Sequence, residues 1–366
     1  MPDEPTVTPC DIPRSCERDG AQKRSSDSSS DKDERVLVTF AIFAYNQESY
    51  IREAIEAAFS QTYEPLEIIL SDDCSTDRTF EIMQEMAGSY RGTKKVLARQ
   101  THCNMGTLLH VADVAKIANG RLFILAAGDD VSKKERAEKI YGEWLSTNAW
   151  GFYSKFDRID ERGELISESV DPRKFFPPEY RLRHYFANPY PKVEIIHGAT
   201  SAYDMKVFEF LDVRPTDYIL SEDGVLSVLL NILGKEIRMI DMSLVGYREN
   251  EQSVTNSVKN RKISREIVLN DESKIERFLR SHVNRLELFI RWDGKYGAKY
   301  RRLDIEQMVG DLSKLKMREN WWRASLLERL EYLKNNLNST EIKWALPRIL
   351  PKSFFLLTKT LIKKFL

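Results

Sequence analysis

Between residues 36 and 127, apolar runs rich in β-branched residues alternate with stretches of helical periodicity. "VLVTFAIFAYN" (36–46) reads as a strand, and "ESYIREAIEAAFSQ" (48–61) sets Ile51, Ile55 and Phe59 at i, i+4 and i+8, one stripe of a helix. "LEIILS" (66–71) is a second strand, and a helix from about Thr79 presents Phe80, Met83 and Ala87 on one face. "KVLAR" (95–99) is a third strand. "TLLHVADVAKIAN" (107–119) is a helix with Gly120 expected as its C-cap. "RLFILAA" (121–127) is a fourth strand, apolar enough to be buried on both faces. Such alternation folds as a parallel α/β sheet flanked by helices, and ligands of these sheets bind beyond the carboxyl ends of the strands.

That edge receives polar residues from three strands. Tyr45 and Asn46 follow the first, Asp72 and Asp73 the second, Asp129 and Asp130 the fourth. Adjacent carboxylates repel, so "GDD" (128–130) after a buried strand needs a reason. A divalent cation shared with a substrate diphosphate supplies one. A turn in which Asp130 or Ser132 caps the helix "KKERAEKIYGEWL" supplies another. In "SDDCSTDRT" (71–79), Ser75 or Asp77 serves as a helix cap, which leaves Asp72 unexplained and suited to accept from a nucleobase N–H. "HCNMGT" (102–107) joins the third strand to a helix as a turn. "SEDG" (221–224) sets Glu222 and Asp223 ahead of the apolar helix "VLSVLLNIL": capping accounts for one acid, and a general base facing the rim for the other.

Composition removes several classes of function. The formal net charge of the 366 residues is zero, which disfavours nucleic acid as a partner. GxGxxG and GxxxxGK[ST] are both absent, so neither a dinucleotide fold nor a P-loop ATPase is expected. The five histidines (102, 110, 184, 197, 282) lack metal-ligand spacing and read as structural, with His197 nearest a strand end. Residues 1–34 carry six serines and no aromatic residue, and read as a disordered tail without a signal-peptide core. A cytoplasmic protein with free thiols at Cys10, Cys16, Cys74 and Cys103 follows. No run of 18 apolar residues suggests a membrane span.

Past residue 150 the pattern loosens. "WGFYSKF" (150–156), "VEIIHGATSAY" (193–203) and "KEIRMIDMSLVGY" (235–247) read as strands, and Ile263 to Leu337 reads as mostly helical and polar. Residues 342–366 hold six Lys/Arg and no acid. There Phe354, Leu357, Leu361 and Phe365 share one face and Lys352, Lys359 and Lys363 another, the pattern of an interfacial helix. The expected division is a tail at 1–34, a catalytic domain at 35–258, a helical extension at 259–340 and a basic membrane-associating segment at 341–366.

Taken in order, "FAIFAYNQESYIREAIEAAFSQTYEPLEIILSDDCSTDRT" (40–79), "NMG", "AAGDD", "HGATSAY", "SEDG" and "GYRENEQSVT" (246–255) resemble a non-processive family 2 glycosyltransferase of the GT-A fold, a bacterial-type polysaccharide enzyme. The resemblance covers roughly residues 36–255. It implies a Rossmann-like, mostly parallel sheet flanked by helices, with a helical C-terminal extension. It implies that Ala44, Tyr45, Glu48, Asp72, Asn104, Gly106 and Asp129 bind a nucleotide sugar. Asp130 would meet Mn²⁺ or Mg²⁺. His197, Gly198 and Ala199 would line the sugar or acceptor pocket. Asp223 would act as base, with Glu222 orienting the acceptor. The usual four-residue acidic element is reduced here to "AGDD", and "LFIRW" (288–292) has Leu where processive synthases carry Gln.

The implied activity is inverting transfer of one sugar from a nucleotide-diphosphate sugar to an acceptor hydroxyl, on a glycan or lipid-linked acceptor at the cytoplasmic membrane face. A sugar nucleotidyltransferase, or a non-catalytic glycan-binding protein on the same fold, are the alternatives. The first lacks its Gly-rich basic loop, and the second does not need Asp72, Asp130 and Asp223 together.

Overall fold

A computed structural model describes residues 35–175, 194–249, 272–299, 301–321 and 323–335. The expected tail at 1–34 and basic segment at 341–366 lie outside them, as do Cys10, Cys16 and His184. The alternating pattern of residues 36–127 folds in the expected order: β1 (Val38–Ala44), α1 (Ile51–Phe59), β2 (Leu66–Asp72), α2 (Thr79–Ser89), β3 (Lys95–Gln100), α3 (Thr107–Ile117) and β4 (Leu122–Ala127). β1 pairs in parallel with β2 and β4, and β2 with β3. The register sets Ala44 opposite Asp72 and Phe43 opposite Ala127, so three strands end level.

Burial explains the order. All seven residues of β2 are buried, as the central run of a two-sided sheet must be. One face carries Phe40, Ile42, Ile68, Leu70 and Ile124 against Ile51, Ile55, Met83 and Ile140 from the helices. Each such side chain contributes roughly 1.5–3 kcal/mol on removal from water. α2 buries Ile82, Met83 and Met86, with Phe80 and Ala87 at the margin of the contact. Gly120 is not the C-cap of α3; Ala118 is. A Cβ at Gly120 would stand 2.4 Å from the Thr39 nitrogen, so glycine there permits a close approach to β1.

The chain then adds β5 (Val131–Ser132), α4 (Arg136–Ser146), β6 (Gly151–Ile159), β7 (Leu165–Val170), α5 (Pro172–Phe175), β8 (Ala202–Asp204), α6 (Glu222–Ile232) and β9 (Ile237–Arg248). Among the described residues the sheet order is β3-β2-β1-β4-β8-β6-β9-β5, with β7 on β6. β8 runs antiparallel between β4 and β6. The strand expected over 193–203 is only Ala202–Asp204, preceded by a 3-10 turn at Gly198–Thr200. The segment 235–247, expected as more than one strand, is a single strand whose pairing with β6 shifts register twice.

Chain contacts divide the molecule into two compact units, Met1–Asn250 with Arg291–Leu303, and Glu251–Ile290 with Asp304–Leu366. The first therefore reclaims residues 291–303 from the expected helical extension. Arg291 donates to Asp217 at 2.5 Å and buried Trp292 donates Nε1 to the Asp212 carbonyl at 3.4 Å. Among the described residues the remaining helices are α7 (Glu272–Trp292), whose last two residues belong to the first unit, α8 (Ile305–Glu319) and α9 (Leu326–Asn335). No helix among the described residues is long and apolar enough to cross a membrane. Cys74 is a free thiol. Cys103 is disulfide-bonded, against the expectation of free thiols throughout.

Candidate active site

The loops after β1 and β2 are laced together. The Asn46 N–H donates to Ser75 Oγ at 2.8 Å, and the Thr76 N–H donates back to Asn46 Oδ1 at 2.8 Å. Asn46 takes a left-handed φ of 52°, which asparagine tolerates. Gln47 donates its N–H to Thr79 Oγ1 at 2.8 Å, and Glu48 Oε2 accepts from the Arg78 N–H at 2.9 Å. Glu48 thus caps α2 from outside, together with the expected Asp77, whose Oδ1 accepts from the Thr79 N–H at 3.0 Å. Ala44 is buried, its carbonyl accepting from the Asp73 N–H at 2.9 Å, while Tyr45 is exposed beside it.

Asp72 stands at this edge fully buried. Its Oδ2 accepts from the Ser75 N–H at 2.8 Å and from Gln100 Nε2 at 2.8 Å, and its Oδ1 accepts from Ser75 Oγ. A carboxylate has about four lone-pair positions, and the protein fills three of those on Asp72. Its neighbour Asp73 does something else. Asp73 accepts from the Met105 N–H at 2.9 Å, the Gly106 N–H at 3.0 Å and Thr101 Oγ1 at 3.2 Å. It pins the loop that carries half-buried Asn104 to the end of β2. Gly106 enters α3 at φ 75°, where a Cβ would meet Tyr218 at 3.0 Å. Burial raises the Asp73 carboxyl above the usual range despite these donors.

The "GDD" loop turns its two acids apart. Asp129 is half-buried on the rim after β4. Asp130 is 4% exposed and points inward, where its Oδ1 accepts from the Arg248 N–H at 2.9 Å. Burial, then the charge of Asp129, pushes the Asp130 carboxyl well up, with the Arg248 N–H and the Arg136 and Arg248 charges opposing. Arg136 is itself fully buried, donating to Ser132 Oγ at 2.9 Å and to the Leu125 carbonyl at 2.7 Å. Burial lowers it to about 10. Neither Asp130 nor Ser132 caps α4, whose N-cap is Glu135.

Arg248 holds this corner together. It donates Nε to the Asp129 carbonyl at 2.8 Å, Nη1 to the Asp160 and Glu161 carbonyls at 3.1 and 3.0 Å, and Nη2 to Glu53 Oε2 at 2.7 Å. Its guanidinium lies over the Tyr50 ring at 4.9 Å. The fork joins α1, the "GDD" loop, the β6–β7 turn and β9. Arg248 lies in the "GYRENEQSVT" stretch that the resemblance includes, but its grip on the "GDD" loop depends on partners far away in the chain.

The second pair of acids opens α6. Asp223 accepts from Ser221 Oγ at 2.7 Å, from the Gly224 N–H at 2.6 Å and from the Gly198 N–H at 3.1 Å. A Cβ at Gly198 would lie 3.0 Å from Glu222 Oε1 and 3.2 Å from Asp223 Oδ2, so glycine lets the 3-10 turn press against both acids. Burial, then Asp223, raises the Glu222 carboxyl to about 7, against the pull of its own backbone N–H and the Thr107 hydroxyl. Beside the turn, the His197 ring stacks on Phe156 at 5.0 Å and meets Tyr247 edge-on at 5.5 Å. Ala199 packs against the cluster of Phe156, Val245 and Tyr247. His110, by contrast, is a core residue that shares a 2.6 Å hydrogen bond with Ser71, and burial lowers it to about 3.

For the metal contact expected of Asp130, Oδ1 is already taken by the Arg248 N–H, which leaves Oδ2 and the more exposed Asp129 to meet a cation. Among the described residues no group of three or more His, Cys, Asp or Glu could hold a metal by itself. The donor set fits the looser mode, in which one rim carboxylate, Asp129, acts with substrate oxygens and water.

Comparison with known proteins decides the family. A profile described as glycosyl transferase family 2 matches residues 39–211. The glucosyltransferase WfaP of Escherichia coli is 35% identical over 233 residues, 60% of this chain and 80% of that one. The chain belongs to glycosyltransferase family 2. A Mycobacterium tuberculosis protein is 42% identical to this glycosyltransferase over 88 residues, which is 24% of this chain and 25% of that one. The match thus spans about a quarter of that relative's length. The Staphylococcus aureus TarS 1–349 structure in complex with UDP-GlcNAc is 16% identical with a TM-score of 0.49, over 86% of this chain and 80% of that one. The sheet of this glycosyltransferase, four parallel strands β3-β2-β1-β4 extended by antiparallel β8, is the GT-A arrangement that the resemblance implied.

Proposed function

We propose that this enzyme transfers a single sugar, with inversion, from a nucleotide-diphosphate sugar to a hydroxyl of a lipid-linked glycan. The observation that carries the reading is the level ending of β1, β2 and β4, which gathers Tyr45, Asp72 and Asp129 on one edge. WfaP is named for transfer of glucose from UDP-glucose to a GlcNAc-diphosphoundecaprenol, which supports a uridine donor and a polyprenyl diphosphate acceptor here.

In this reading Tyr45 and Asp72 receive the base, and the Asp73-pinned loop with Asn104 and Gly106 closes over the donor. A divalent cation, Mn²⁺ or Mg²⁺, held by Asp129 and the diphosphate, would offset the charge of the leaving group. Asp130 and Arg248 hold Asp129 in position from beneath. The acceptor oxygen attacks the anomeric carbon as the bond to the diphosphate oxygen breaks, and Asp223 takes the acceptor proton. Glu222 orients the acceptor beside the ring platform of His197, Phe156 and Tyr247. One base and no protein nucleophile suit a single displacement, hence inversion.

Residues 342–366 would bring the enzyme to the cytoplasmic membrane face, where such an acceptor resides. The test is incubation with UDP-glucose and a synthetic polyprenyl diphosphate sugar, scored by mass spectrometry. One added hexose supports the reading. Release of free sugar alone, with every lipid-linked acceptor unchanged, would count against the acceptor class.

A further inference from the structure

Helix α9 turns the wrong side chains toward water. Its Arg329 is buried, donating Nε to the Trp321 carbonyl at 2.9 Å with the guanidinium 5.8 Å from that indole ring. Tyr332 meets the same ring edge-on at 5.9 Å. Leu326, Leu327 and Leu330 are 55%, 75% and 50% exposed. Water as the only solvent selects the reverse, leucine in and arginine out. These three leucines within five residues are also the densest group of exposed large apolar side chains among the described residues.

The charges around the leucines say what kind of surface they fit. Leu326, Leu330 and Lys334 follow at i, i+4 and i+8, so the stripe ends in an exposed cation. Arg323, also exposed, stands just ahead of the helix. Glu328 is drawn to the helix start, accepting from the Ser325 N–H at 2.6 Å and Ser325 Oγ at 2.7 Å. Glu331 is exposed at the margin of the stripe. Downstream, residues 342–366 add six Lys/Arg and no acid. Beside the leucines the exposed cations Arg323 and Lys334 offset the acids Glu328 and Glu331, and the positive excess of 342–366 then favours the boundary between acyl chains and anionic headgroups. We infer that the leucine face of α9 is a docking surface for an anionic lipid bilayer. The inference rests on the reading of a lipid-linked acceptor, and it assigns a membrane contact to the folded chain separate from residues 342–366.

The experiment is flotation of the full chain with phosphatidylcholine vesicles, with and without phosphatidylglycerol. It compares wild type, the double variant Leu327→Glu/Leu330→Glu, a deletion of 342–366, and both changes together. Both leucines are exposed, so the double variant should keep the wild-type circular dichroism and its turnover on a water-soluble acceptor. Partition onto anionic vesicles should fall by at least about tenfold in the double variant. The deletion should retain a fraction that the combined variant loses. If the double variant floats as wild type does while the deletion abolishes binding, α9 is not a lipid contact and the terminal segment is. If wild type itself does not float, both membrane readings fail. If the double variant changes sedimentation from dimer to monomer and leaves flotation intact, a second copy of the chain is the occupant and the inference is wrong.

Discussion

Arg248 grips both acids of the "GDD" loop: its N–H donates to Asp130 Oδ1 at 2.9 Å and its Nε donates to the Asp129 carbonyl at 2.8 Å. The loop expected to meet the diphosphate is therefore set by a residue 118 positions away in the chain. Arg248→Ala would leave the Asp129, Asp160 and Glu161 carbonyls without this donor and remove the partner of Glu53. A loss on the order of 3–5 kcal/mol follows, with donor binding lost as well. Arg248→Lys should fare little better, since an ammonium cannot reproduce the fork. Chemical denaturation together with nucleotide titration calorimetry checks both.

Asp129 and Asp130 should separate on substitution. Asp130→Asn keeps an oxygen for the Arg248 N–H and removes a buried charge, so it should bind nucleotide with Mn²⁺ almost as wild type does. The raised Asp130 carboxyl stabilises the fold below its unfolded value near 3.9, and that contribution is lost as pH rises through its folded value. Asp130→Asn should therefore match or exceed wild type in melting temperature at pH 8. Asp129→Asn should bind nucleotide equally with Mn²⁺ or with EDTA. The opposite pattern would return the metal to Asp130.

The acid pair of α6 predicts a pH dependence. Glu222 is raised to about 7, so its stabilising protonated form is fully present below about 4.3 and is lost as pH rises through about 7. Glu222→Gln should raise the melting temperature at pH 8 relative to wild type and leave it unchanged at pH 4. Turnover of wild type should climb through the same window, because ionised Glu222 accepts a hydrogen bond from the acceptor hydroxyl and so orients it for Asp223. Melting curves and pH–rate profiles report the two effects separately.

Gly106 and Asp73 act on the donor loop. Gly106→Ala forces a side chain onto φ 75° and toward Tyr218, at a cost of about 1–2 kcal/mol. Asp73→Asn keeps one acceptor oxygen for the Met105 and Gly106 N–H donors and loses the other. Both should raise KM for the donor more than they lower kcat, as steady-state kinetics at saturating acceptor would reveal.

Much of this was legible in the sequence because β1 to β4 and their helices obey one rule, apolar residues at period two or 3.6 with polar residues at the turns. Asp72, the Asp129–Asp130 pair and the Glu222–Asp223 pair stood out as acids that capping alone did not need. The later half was less legible because its register depends on partners far along the chain. β8 is three residues long and exists through pairing with β4 and β6. β9 follows β6 through two register shifts that no local pattern encodes. The roles of Asp129 and Asp130 could not be divided from the sequence, since only the Arg248 N–H turns one of them inward. Gly120 looked like a cap because the Thr39 backbone that crowds it is 81 residues away.

The central claim is that Asp223 removes the acceptor proton in an inverting transfer. The most direct measurement is single-turnover transfer by Asp223→Asn, with donor affinity measured in parallel and the product anomer assigned by proton NMR on the wild-type reaction. The account predicts an inverted anomer. It also predicts a rate reduced by about 10²–10⁴-fold at nearly unchanged donor affinity, because Asp72 and Asp129 remain. A retained anomer, or wild-type turnover in Asp223→Asn with Glu222→Gln inactive, would contradict it.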